Sequence, residues 1–278
     1  MCCPRPPRFD PTNGPLKIGM HVSMRNYNPD ELIATLKQMA ARGKPCPVIT
    51  LLGPDEIAAS KIRAASLPTV IISRVVYPGD GGLGLTAAEY LDRYVTPDAE
   101  RKQIKYQQIN NESNDSSESA INWWYQQMAT AEGRGYRLAV PTWPTGNPPD
   151  LKVWRQTYIH DFLRYVRDHG HLFACHEYYR GDLRWNLGRF ITYAYPQLPD
   201  DLRIAMPKVV FTEFGEQGGR DWSVADTLTR FREWQKLLEP YGWIIGGSVW
   251  AVGDTGAGAA EDWTGDNLAK NLAVWAQI

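Results

Sequence analysis

Two hydrophobic periods alternate along this chain. Short β-branched runs with the look of buried strands are each followed by stretches whose apolar residues recur every three to four positions. Strands are predicted over residues 16–22, 47–52, 69–75, 106–111, 136–141, 172–178, 209–214 and 244–252. Helices are predicted from 29 to 43, 55 to 65, 86 onward, 119 to 132, 150 to 169, 223 to 238 and 268 to 276. The helix starts carry their own signals: Asn28-Pro29-Asp30-Glu31 and Thr86-Ala87-Ala88-Glu89 both resemble capping boxes, and Gly43, Gly133 and Gly170 act as stops.

Eight strand–helix units in about 260 residues predict a single-domain α/β fold, the (β/α)8 TIM barrel, whose functional groups sit at the carboxyl ends of the strands. A doubly wound open sheet would carry a glycine-rich phosphate turn after its first strand. Residues 21–25, His-Val-Ser-Met-Arg, contain no glycine. Residues 1–15 read as a Pro-rich lead-in or linker and 16–278 as the barrel, with no composition break to mark another domain.

Composition adds limits. The 278 residues carry 30 basic and 31 acidic side chains, a balance with no electrostatic footprint for nucleic acid. No apolar run is long enough to insert into a membrane. No signal-peptide pattern opens the chain, so an extracellular setting would require a leader or neighbouring domain to have been removed. Four cysteines make no disulfide framework, and Cys46 and Cys175 fall in apolar runs as small hydrophobes. The aromatic content, with 11 Trp and 14 Tyr, suits flat ligands such as sugars, although most of these rings are expected in the core.

The strand ends carry a polar and aromatic set: His21, Arg74, Asn111 and Glu112, Trp143, His176 and Tyr178, Glu213, and Trp250. Glu112 follows the fourth strand and Glu213 lies in the seventh. On a barrel these strands face each other, so the two carboxylates can flank a glycosidic bond. Other chemistries fit less well. Cys175 and His176 are strand neighbours that point to opposite faces and cannot pair. There is no His-x-x-x-His or Cys-x-x-Cys spacing for a metal, and no Gly-x-Ser-x-Gly elbow. Neither a metal nor a cofactor is expected.

Asn111-Glu112, His176-Glu177-Tyr178, Thr212-Glu213-Phe214-Gly215 and Trp250, taken in order on strands four, six, seven and eight, resemble the clan A glycoside hydrolases, retaining enzymes on (β/α)8 barrels. The resemblance implies Glu112 as general acid/base and Glu213 as nucleophile. It also implies Asn111 on the sugar 2-hydroxyl, Tyr178 orienting Glu213, and Trp250 as the subsite floor. One departure stands out: the Arg many members carry at strand two is not evident near residues 51–53, and Arg74 on strand three is the candidate replacement. The implied substrate is a β-linked oligo- or polysaccharide cleaved in endo fashion, with Tyr77, Trp143, Tyr179, Trp185 and Trp222 lining the cleft. The alternative class is a non-hydrolytic carbohydrate-binding barrel, or an accessory domain of a larger cell-wall- or phage-associated protein.

Overall fold

The computed structural model describes residues 15–23, 29–53, 56–65, 67–74, 85–110, 112–179, 188–216 and 224–252. The strands are β1 (Ile18–Ser23), β2 (Val48–Leu52), β3 (Val70–Arg74), β4 (Tyr106–Gln108), β5 (Arg137–Trp143), β6 (Leu172–Tyr179), β7 (Val209–Glu216) and β8 (Ile244–Val252). They pair in parallel and in chain order, and β8 pairs back onto β1, so the barrel is closed. Interleaved with them are α1 (Pro29–Ala41), α2 (Glu56–Ala64), α3 (Ala87–Tyr90), α4 (Thr96–Lys102), α5 (Glu118–Gly133), α6 (Thr157–Asp168), α7 (Asp200–Ile204) and α8 (Val224–Leu238). This is the (β/α)8 barrel the alternating periods predicted. No helix among the described residues is long and apolar enough to cross a membrane.

Two apolar layers hold the barrel. Helix faces such as Leu32, Leu36 and Met39 of α1 and Ile159, Phe162, Leu163 and Val166 of α6 pack on outward strand residues, among them Met20, Val22, Phe173 and Phe211. Val48, Ile72, Ala139, Leu172, Ala174 and Val210 form the smaller inner cluster. Because successive strand residues point to opposite faces, the inward seat after Ile72 belongs to Arg74 and the one after Ala174 to His176. His21, between outward Met20 and Val22, also points in.

Two register shifts decide what reaches the mouth. Pairing between β6 and β7 passes from Cys175↔Phe211 to His176↔Glu213, so Thr212 is an extra residue in β7. Without it Glu213 would share the outward face of Phe211. The bulge turns Glu213 inward beside His176. In β5 the pairing passes from Pro141↔Ala174 to Trp143↔Cys175, which makes Thr142 the extra residue and turns Trp143 outward. Gly247 fixes the far side of β7: a Cβ there would lie 2.6 Å from the Phe214 ring, which packs at 4.9 Å on Trp234 of α8.

Several local expectations shift. The helix expected over 150–169 is divided into a 3₁₀ turn (Leu151–Arg155), an extended Gln156 and then α6. Trp154 is the cause: it is buried against Trp143, Phe173 and Phe190, and that packing outweighs helix continuity. The helix at 86 does start on the expected Thr86–Glu89 capping box, then passes through a π turn (Leu91–Val95) into α4. β4 stops at Gln108, short of 111. The lead-in over 1–14 and the helix expected at 268–276 lie outside the described residues.

Candidate active site

Five of the residues singled out in the sequence converge inside the carboxyl-end mouth. Arg74, the last residue of β3, ion-pairs through Nη1 with Glu213 Oε1, and both side chains are almost wholly buried. The Tyr178 hydroxyl donates to the other oxygen, Glu213 Oε2, at 2.6 Å. His176 Nδ1 lies 3.1 Å from Glu112 Oε1 and 3.4 Å from Glu213 Oε2, so one ring nitrogen stands between the two carboxylates. One carboxylate oxygen of each glutamate and a ring nitrogen of His176 lie within 4.8 Å of one another. Such a trio has the donor types and spacing to hold a cation, although Arg74 already supplies positive charge to Glu213.

The electrostatics separate the two carboxylates. Burial alone would raise the Glu213 pKa, but His176, Arg74 and His21, with the Tyr178 hydrogen bond, more than offset it and bring the pKa down to about 2. His21 is buried beside Arg74, and burial together with that cation pushes its ring well below the ordinary imidazole range. It is therefore neutral at pH 7, and the permanent positive charge facing Glu213 is that of Arg74. Glu112 differs in setting: its side chain is 45% exposed, open to incoming ligand, whereas that of Glu213 is 8% exposed.

Trp143 is not brought to this group. Its indole is fully buried on the helix side, donating to Asp115 O at 3.2 Å and packed on Trp154 and Phe173. Asn111, Tyr77, Trp185 and Trp222 lie outside the described residues, as do the side chains of Tyr179 and Trp250, though their backbones belong to β6 and β8.

Some supporting residues carried no signal in the sequence. Behind β3, the Ser73 hydroxyl donates to Asp98 Oδ2 at 2.6 Å, and Lys102 Nζ donates to Ser73 Oγ at 2.8 Å and also to Gly53 O. Lys102 Nζ lies 3.0 Å from Asp98 Oδ1. This fully buried charge pair pins the strand that carries Arg74. The i,i+4 spacing of Asp98 and Lys102 was visible, but such pairs are ordinarily solvated. Near Glu112, three non-glycine residues adopt positive φ: Asn110 (57°), Glu112 (54°) and Thr142 (57°). Each costs of order 1–3 kcal/mol, and such strain gathers at functional sites.

No protein-family model and no curated protein matches this sequence. Among solved structures, the chain is similar to a β-1,3-glucanase and pollen allergen of Cryptomeria japonica (15% identity, 85% of this chain and 89% of that one, TM-score 0.52). It is also similar to a family 128 endo-β-1,3-glucanase of Amycolatopsis mediterranei in complex with laminarihexaose (13%, 94% and 98%, TM-score 0.51). A Pseudomonas aeruginosa protein provisionally assigned to the aldo-keto reductases matches at 12% identity, 94% and 89% coverage and TM-score 0.50. At these identities the likeness establishes the barrel fold alone, which the two glucanases and the reductase share. Chemistry has to be argued from the site.

Proposed function

We propose that the chain is a retaining glycoside hydrolase acting on a β-linked glycan. The carrying observation is the juxtaposition of Glu112 and Glu213 at the mouth, with carboxylate oxygens within 4.8 Å of one another. Retaining enzymes hold their carboxyl groups about 5–5.5 Å apart, whereas inverting ones need about 6.5–9.5 Å to admit a water. Glu213, held ionised by Arg74 and oriented by Tyr178, attacks the anomeric carbon. The bond from that carbon to the glycosidic oxygen breaks as Glu112 delivers its proton to that oxygen. A water then enters, Glu112 takes its proton, the oxygen bonds to the anomeric carbon, and Glu213 leaves as carboxylate. His176, hydrogen-bonded at the shared edge, keeps the two carboxylates in register.

The two β-1,3-glucanases among the structural neighbours make laminari-oligosaccharides the first substrates to try, and a cleft open at Glu112 suits internal cleavage. The test is release of reducing ends from a glycan panel, with proton NMR of the first-formed product and labelling by a 2-fluoro glycoside. Retained anomeric configuration and covalent label on Glu213 are expected. An inverted first product would remove Glu213 from the nucleophile role, and no cleavage or labelling across the panel would favour a non-hydrolytic binding barrel.

A further inference from the structure

Among the described residues, four non-glycine positions have φ in the left-handed region, and three of them lie together: the proposed acid/base Glu112 itself, Asn110 and Thr142. Thr142 is the extra residue of the β5 bulge; it is wholly buried and β-branched, and so poorly suited to that conformation. It is nevertheless tied in by reciprocal bonds. Its carbonyl accepts the Glu112 N–H at 3.1 Å, and its hydroxyl has Pro141 O at 2.6 Å, Asn110 O at 3.0 Å and Ile109 O at 3.3 Å as acceptors, which ties the β5 bulge to the end of the fourth unit's strand. Asn110 is held from the opposite side: Tyr90, the buried last residue of α3, donates its hydroxyl to Asn110 Oδ1 at 2.9 Å.

We infer that Tyr90, Asn110 and Thr142 form a clamp that holds the Glu112 backbone in its strained turn, so that the carboxyl meets His176 and the glycosidic oxygen. They are positioning residues. Asn110 and Glu112 would relax to ordinary backbone angles without partners, and relaxation would swing the exposed Glu112 carboxyl away from His176 Nδ1. Glu213 is fixed independently, by the β7 bulge and Arg74, so the clamp serves proton delivery and leaves nucleophilic attack alone. This inference rests on the reading of Glu112 as the acid.

Tyr90→Phe removes one hydroxyl with no change of shape; Thr142→Val removes the other and keeps the branched side chain, while Thr142→Ser restores the hydroxyl. In full-length protein, Tyr90→Phe and Thr142→Val should each slow cleavage of glycosides with poor leaving groups by about 10-fold or more. For a dinitrophenyl glycoside, whose departure needs no proton, kcat/KM, which reports the first step alone, should stay within about twofold of the parent, and Thr142→Ser should recover most of the loss. Equal losses on both substrates would overturn the inference. A second readout needs no substrate: the ¹⁵N resonance of His176 Nδ1 should move in Tyr90→Phe towards its position in Glu112→Gln. An unmoved resonance overturns the clamp even where kinetics change. If the parent cleaves no glycoside, the glycosidase reading fails on its own, and the resonance alone decides the clamp.

Discussion

Two carboxylates in this barrel, Glu213 at the carboxyl-end mouth and Glu132 at the opposite end, are built from nearly the same parts. Glu132, near the end of α5, faces His169 Nδ1, His171 Nε2 and the Tyr165 hydroxyl, each at 3.0 Å. Glu213 meets His176, Tyr178 and Arg74. Burial works against ionisation at both, and the surrounding partners bring both down to about 2. A depressed pKa alone would nominate the two equally. What separates them is company. Glu213 has a second carboxylate, the 45% exposed Glu112, across one imidazole. At Glu132 the His171 ring is fixed by accepting the Leu138 N–H on Nδ1, so its Nε2–H is committed to the glutamate, and Tyr165 stacks on His169 at 3.8 Å. Every partner there ties α5 and α6 to the strand ends, and none faces a reactant.

Glutamine substitutions give the sharpest test of that contrast. Glu213→Gln should lower turnover by on the order of 10⁴-fold or more in steady-state assays, while Glu132→Gln should stay within about twofold. Comparable losses at both would erase the distinction. Next in size, Arg74→Met leaves burial of Glu213 without its permanent cation. Its pKa should rise from about 2, and because attack needs the ionised form, the acid limb of the pH–rate profile should move to higher pH. An unmoved limb would mean that Arg74 is not what keeps Glu213 charged. Glu132 and its partners sit at the far end of the barrel from the proposed reacting groups, so replacing any of them should leave the profile where it is.

Stability should respond the other way round. Glu132→Ala strips the buried His171 ring of its acceptor and should cost about 1–3 kcal/mol in urea unfolding at pH 7. A carboxylate whose folded pKa lies below its unfolded value stabilises fully above about pH 4.5, and the contribution is lost as pH falls towards 2. The acid-induced drop over that window should therefore be shallower in Glu132→Ala than in the parent. A parallel drop would show that Glu132 contributes nothing to it. Smallest of all, His169→Ala removes a partly exposed partner and should cost only about 0.2–1 kcal/mol, read as a shift in the urea midpoint.

The barrel was legible because strand and helix periods differ sharply and all eight predicted strands have a counterpart in the sheet. Glu213 was legible because it interrupts an apolar strand, and Glu112 because it closes the segment that follows the fourth strand. Trp143 was expected at the mouth because it follows the predicted end of the fifth strand, but β5 runs through it and the extra residue Thr142 turns it to the outer face. The same kind of insertion at Thr212 delivers Glu213 to the mouth. Bulges depend on which partner residues pair, so neither can be read from one strand's own sequence. Lys102 and Asp98 escaped for a related reason, since burial of a charge pair is decided by what packs over it. Tyr90 looked like one more core aromatic, and only its hydroxyl contact with Asn110 sets it apart.

Closure of the barrel has a consequence for biosynthesis. Lys17, just ahead of β1, donates from Nζ to Ile244 O at 2.5 Å across 227 positions of chain, and Gly247 N–H bonds Lys17 O beside it. During synthesis, β1 emerges first and waits for the last strand of the ring before its second edge is covered. Until then the nascent chain presents a sheet with two edges of unpaired backbone N–H and C=O groups, the kind of surface that recruits other copies. The loop-closure entropy of that final pairing must be met before its bonds form, which favours slow completion of folding. Yield in a cell should therefore depend on chaperone capacity and translation rate more than on the stability of the finished molecule.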